Sequence, residues 1–100
     1  METRKHIRHK LSGILDLGEK QFNLLDVSVE GCSIFSGGHE LTLNQAYEAK
    51  LILGATNIRV NVVFIRKKDD KRYGAEFVFI DKGSRQHLQN YLLGNRDRIR

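Results

Sequence analysis

The apolar residues of this chain recur at every second position, in short runs broken by turn signals, from Leu11 to Phe79. Such alternation sets one face of an extended strand against a core and leaves the other in solvent. No segment between successive runs could be the crossover helix that a parallel strand pair requires. The strands are therefore expected to be antiparallel.

The first run puts Leu11, Gly13, Leu15 and Leu17 on one side, and Gly18-Glu19 reads as a hairpin turn. Residues 22–27 form a second strand and 32–35 a third, closed by the loop Ser36-Gly37-Gly38-His39. Tyr47, Ala49, Leu51 and Leu53 then alternate with Glu48 and Lys50. Ile58, Val60, Val62 and Phe64 share a face of the fifth strand. Val63 and Ile65 make its second half apolar on both faces, which predicts a wall covered by another element. Residues 67–71 are a charged turn, and Tyr73, Ala75, Phe77 and Phe79 line the sixth strand.

After Asp81-Lys82-Gly83 the period changes. Leu88, Tyr91 and Leu92 have helical spacing, Ser84 is a cap, and Gly94 or Asn95 is a stop. The expected fold is all-β with one helix: a six-stranded antiparallel β-barrel, split and Greek-key-like, with a C-terminal α-helix packed on it. The expected boundaries are a basic arm at 1–9, the barrel and helix at 10–94, and a basic tail at 95–100.

One hundred residues suit one small domain with a single core. The net charge of +5 is uneven. Arg4, Lys5, Arg8 and Lys10 crowd the first ten residues against Glu2 alone, and 66–72 read RKKDDKR. A basic surface implies an anionic partner without choosing it. Cys32 is the only cysteine, so no internal disulfide forms; it reads as a buried strand residue in a reducing compartment. No apolar stretch reaches the roughly 20 residues of a membrane span, and the N-terminus lacks a signal peptide's apolar segment. The chain reads as cytoplasmic.

Two clusters carry chemistry. Arg4 and Arg8 stand four apart, on one side in either a helical or an extended arm. Their planar forks suit phosphate oxygens and the O6/N7 edge of guanine. The second cluster is Asp26-Val27-Ser28-Val29-Glu30-Gly31. In an extended strand Asp26 and Ser28 point the same way. A carboxylate accepts two hydrogen bonds, and guanine N1–H and N2–H₂ are adjacent donors. Ser28 can donate to phosphate or to Asp26, and Gly31 permits positive φ or close ligand approach. The plainer readings are a solvated basic terminus and a turn shaped by Asp26 and Ser28; Arg96 and Arg100 repeat the arginine spacing.

The two motifs together, with one strand and a hairpin between them, resemble the PilZ domain, the bacterial receptor module for cyclic di-GMP. The resemblance runs from Arg4 to about Leu93. It includes Tyr73-Gly74-Ala75-Glu76-Phe77, similar to the family's late glycine-aromatic strand, and the closing amphipathic helix. It implies the same barrel and helix, and ligand contacts from Arg4, Arg8, Asp26, Ser28 and Gly31. Lys5, His9 and Phe64 are implied secondary contacts. Thr3 precedes Arg4 where members often carry another arginine, and Phe64 stands where some carry a tryptophan. Both bear on how many ligand molecules bind. The implied mechanism is a switch: ligand draws the arm onto the barrel rim, and a protein effector reads the new surface.

Enzyme readings lack support. No nucleophile elbow or oxyanion-type glycine motif surrounds Ser28 or Asp26. His6 and His9 have no second ligand pair at zinc spacing, so no metal or cofactor is expected. A barrel binding single-stranded nucleic acid would need exposed aromatics among its basic residues; here the aromatics sit on the apolar faces. A protein-docking module without nucleotide is the remaining alternative.

Overall fold

The computed structural model describes residues 9–78 and 81–98. The elements are β1 (Ile14–Asp16), β2 (Gln21–Val27), β3 (Gly31–Phe35), β4 (Ala46–Leu53), β5 (Thr56–Asp69), β6 (Arg72–Val78) and α1 (Lys82–Arg98). The strands close into a barrel in the order β1-β2-β3-β6-β5-β4, every neighbour antiparallel. This is the expected barrel and helix. The order is also of the expected Greek-key kind: β4 returns beside β1, and β6 fills the place next to β3.

Alternation builds the interior. Leu15, Phe22, Leu24, Ile34, Leu51, Leu53, Ile58, Val60, Val62 and Phe64 are all buried, as is Cys32. Phe64 sits edge-on between Tyr47 and Tyr73, with ring centroids 5.7 and 5.9 Å away. Tilted pairs of this kind match positive ring edges to negative faces. The two tyrosine hydroxyls also tether the crossover from β3 to β4, accepting hydrogen bonds from the amides of Leu41 (Tyr73) and Thr42 (Tyr47). Leu88 and Leu92 of α1 join the core, and the helix packs on β5.

Local expectations shift in five places. β1 keeps only three residues, although Gly13 still accepts a hydrogen bond from the Leu24 amide. β5 runs through the charged segment to Asp69, so the turn shrinks to Asp70 and Lys71. Ile65 is 40% exposed, so the outer wall is not covered there. The cap of α1 is Asp81, whose carboxylate accepts the Ser84 amide hydrogen bond at 2.7 Å; Ser84 is therefore the third helical residue. The helix continues past Gly94 and Asn95, because one interior glycine costs only about 1 kcal/mol. Phe79 and most of the arm lie outside the described residues. Among the described residues no helix is long and apolar enough to cross a membrane.

Phe64 is fully buried against both tyrosines. Truncation to alanine is expected to cost about 3–5 kcal/mol of unfolding free energy, measured by urea denaturation.

Candidate functional site

The residues 26–31 sit where β2 turns into β3, and a register slip decides how they face. Leu24 pairs with Ile34, but the next pair is Asp26 with Ser33, leaving Leu25 as an extra residue. Without that bulge Asp26 would keep the parity of Phe22 and Leu24 and enter the core. With it Val27 goes inside, fully buried, and Asp26 joins the outer face, half-buried. Bulges re-aim side chains in this way.

β2 ends at Val27, so strand alternation does not carry on to Ser28. Ser28 opens a tight turn. Its amide donates to the Gly31 carbonyl at 2.8 Å, and its Oγ accepts from the Glu30 amide at 3.1 Å. Such local bonds are the usual turn chemistry of serine. The turn is clamped from β6, where the Phe77 amide donates to the Glu30 carbonyl at 2.9 Å.

Gly31 does not use a positive φ; the positive-φ glycines are 18, 37, 38 and 54. Its reason is crowding by backbone. A Cβ on residue 31 would overlap the carbonyl oxygen of Ala75. The glycine thus lets β6 approach β3, a requirement internal to the barrel.

His9, the first described residue, exchanges two backbone hydrogen bonds with Val27, at 2.8 and 2.9 Å, and is itself buried. The chain therefore enters the barrel alongside the end of β2, one residue from Asp26 and from Ser28. Arg4, Lys5 and Arg8 lie outside the described residues. Phe64 faces the barrel interior with no exposed surface. As a secondary contact it is replaced by its role in the core, and Ile65 is the surface residue beside it.

Across the outer face, register places Asp26 (β2), Ser33 (β3), Gly74 (β6) and Arg66 (β5) in one row. Arg66 reaches it through a second slip, between Phe64 and Arg66. A third slip, between Lys67 and Asp69, leaves Lys68 as an extra residue. Its side chain crosses Gly74, with Cε 3.5 Å from where a Cβ would stand, and Nζ donates to Ser33 Oγ at 2.7 Å. Motif reading alone did not mark Lys68 or Ser33 for the site, and Gly74 entered only as part of the glycine-aromatic strand. The bare glycine in Tyr73-Gly74-Ala75 was the available signal.

Charges nearby are sorted by pairing. Lys67 donates to Glu40 at 3.0 Å, a bond that raises its pKa. Arg72 pairs with Asp69 at 2.6 Å; hydrogen bonds from Arg72 and then from the Lys71 amide hold the Asp69 carboxyl below its ordinary value. Lys68 instead bonds a neutral hydroxyl. A cleft of about 360 Å³ lies at the tip of the β5–β6 hairpin, lined by Phe35, Asp69, Asp70, Lys71 and Arg72. It contains none of the motif residues. Among the described residues no three metal-ligating side chains converge.

Comparisons with known proteins agree on the fold. The family model of the PilZ domain matches residues 2–94. The inhibitor of motility MotI (DgrA) of Bacillus subtilis superposes with a TM-score of 0.81 at 17% identity, over 100% of this chain and 54% of that one. YcgR in complex with c-di-GMP from Escherichia coli gives 0.75 at 15% identity, covering 100% of this chain and 52% of that one. The PilZ domain of YcgR with c-di-GMP gives 0.77 at 14% identity, over 99% and 95% of the two chains. The chain thus spans about half the length of MotI and of full YcgR. No curated protein sequence matches it.

Because the Ala75 carbonyl fills the space beside Gly31, Gly31→Ala is expected to lower stability by about 1–3 kcal/mol even without ligand. Urea denaturation of the ligand-free protein measures it. A variant as stable as the parent would mean that β6 can withdraw freely.

Proposed function

The chain belongs to the PilZ domain family, and on that premise we propose that it is a receptor for cyclic di-GMP. The dinucleotide is gripped between Arg4 and Arg8 of the N-terminal segment and the turn carrying Asp26, Ser28 and Gly31. The observation that carries this reading is the His9–Val27 backbone pairing. Arg8 is one peptide unit from His9, about 3.8 Å between Cα atoms. A guanidinium side chain spans that step, so two motifs some twenty positions apart in sequence serve one ligand.

The chemistry of the two halves is complementary. Cyclic di-GMP carries two phosphodiester charges, and the chain has a net charge of +5. Arginine forks pair with phosphate oxygens or with guanine O6 and N7. Asp26 on the outer face accepts from guanine N1–H and N2–H₂. Ser28 has a narrower part: its Oγ accepts from the Glu30 amide and donates to the Gly31 carbonyl at 3.5 Å, so it holds the turn in shape, and it donates to a ligand only by exchanging that long bond. Gly31 contributes by letting β6 brace that turn. Lys5 and His9 are auxiliary, and the buried ring of His9 points to anchoring the segment.

Binding requires no bond to form or break, and no catalytic role is assigned. We extend the proposal to signalling: ligand fixes the N-terminal segment across the turn, and a downstream protein reads the altered surface. Nucleic acid is the weaker reading, because Phe35 is the one exposed aromatic ring among the described residues, too few for a stacking platform.

Isothermal titration with cyclic di-GMP, beside GTP and a short oligonucleotide, tests the assignment; binding of the oligonucleotide alone would reverse it. Arg4→Ala and Arg8→Ala are each expected to weaken cyclic di-GMP by roughly 5- to 150-fold, the equivalent of about 1–3 kcal/mol. Their melting temperatures should stay near the parent's. Unchanged affinity in both would remove the segment from the site.

Asp26→Asn is expected to weaken binding and to narrow the preference for cyclic di-GMP over cyclic di-AMP. The amide sets its own donors against those of guanine, whereas adenine lacks that donor pair. A preference that survives intact in competition titrations would make Asp26 a turn residue only.

A further inference from the structure

We propose that Lys68 is a base-reading residue of the same site, donating to O6 of the guanine whose N1–H and N2–H₂ face Asp26. The inference rests on the cyclic di-GMP reading above and names a residue outside both sequence motifs.

Three features of the outer face lead to it. The first is position. Asp26 and Ser33 are paired across β2 and β3, and paired side chains stand about 4.5–5.5 Å apart at Cβ. The Lys68 ammonium is hydrogen-bonded to Ser33 Oγ at 2.7 Å. A positive donor and a carboxylate are therefore neighbours on one surface, although 42 positions separate them in sequence.

The second feature is how Lys68 gets there. It is the extra residue of a bulge, and its stem lies across Gly74. Any side chain at residue 74 would stand in that path. The bare strand and the bulge together carry a cation from β5 over β6 to β3. A long flexible side chain placed this way loses less entropy on meeting a ligand than one free in solvent.

The third is charge. Lys67 and Arg72, on either side of the same hairpin, are committed to Glu40 and Asp69. Among the described residues Lys68 bonds only a neutral hydroxyl, which leaves two of its three donors for a ligand.

The chemistry then selects the base. On guanine's pairing edge O6 is adjacent to N1. A base whose N1–H and N2–H₂ meet Asp26 presents O6 beside that carboxylate, where Lys68 supplies a donor. Adenine offers the reverse there, an N6 donor and an N1 acceptor, and would set its amino group against the ammonium. Asp26 and Lys68 together read acceptor, donor, donor, a pattern specific to guanine. A hydrogen bond to a charged donor is among the stronger ones.

The test compares the unaltered protein with Lys68→Ala, Lys68→Arg and, as a control of equal charge loss, Lys67→Ala. Each is titrated with cyclic di-GMP, and cyclic di-AMP is measured by competition. Melting temperatures without ligand check the fold. Lys68→Ala is expected to weaken cyclic di-GMP roughly tenfold while leaving cyclic di-AMP within about twofold, so that discrimination falls. Lys68→Arg should keep most of the preference, and Lys67→Ala should match the parent. Equal losses toward both dinucleotides, or none, would overturn the O6 contact while leaving the receptor reading standing. Failure of the unaltered protein to bind cyclic di-GMP would overturn that reading and this one with it.

Discussion

The carbonyl of Ala75 occupies the space that a side chain at residue 31 would need. That single close approach lets β6 lie flat against β3 through five consecutive residue pairs. It is also where β6 reaches past the strand to hold the turn, through the Phe77–Glu30 hydrogen bond. Since β3–β6 is one of the two seams joining strands distant in sequence, the barrel closes without strain only if residue 31 is bare. The turn's shape and the barrel's closure are one constraint, and loss of ligand binding on substitution of Gly31 would report first on backbone packing.

Three register slips then do for the surface what Gly31 does for the closure. A strand with strict alternation would send Asp26 and Arg66 into a core made of Phe22, Leu24, Ile34 and Phe64. Burying an unpaired charge there would cost several kcal/mol. One extra residue in each strand, Leu25 and Ile65, turns both charges outward and keeps the following apolar residue of β2, Val27, inside. The exposure of Leu25 and Ile65, 38% and 40%, is the counterpart of that arrangement. The third slip, at Lys68, brings a cation back over Gly74 to Ser33. The outer row of carboxylate, hydroxyl, bare backbone and guanidinium thus depends on irregularities in an otherwise regular barrel.

Much was legible in the sequence alone. Alternating apolar runs without room for crossover helices determined antiparallel strands, and the change of period after residue 83 determined the helix, because both signals are local. Glycine-rich loops and the placement of Cys32 in a strand followed from the same local chemistry. The spacing of Asp26, Ser28 and Gly31 marked the cluster, but its reading as one strand face holds only to Val27, and Ser28 belongs to the turn. What the sequence could not determine is what lies between strands. Alternation places Phe64 on an apolar face without saying that Tyr47 and Tyr73 enclose it. Periodicity assigns Asp26 the side of Leu24, and only pairing with β3 reverses it. Gly31 looks like a residue freed for positive φ or for a ligand, until β6 is laid beside it. Lys68 is one cation in a charged hairpin until a bulge and a missing side chain carry it to Ser33. Register, bulges and close approaches are set by partners distant in sequence, so tertiary structure alone decided which way these side chains face.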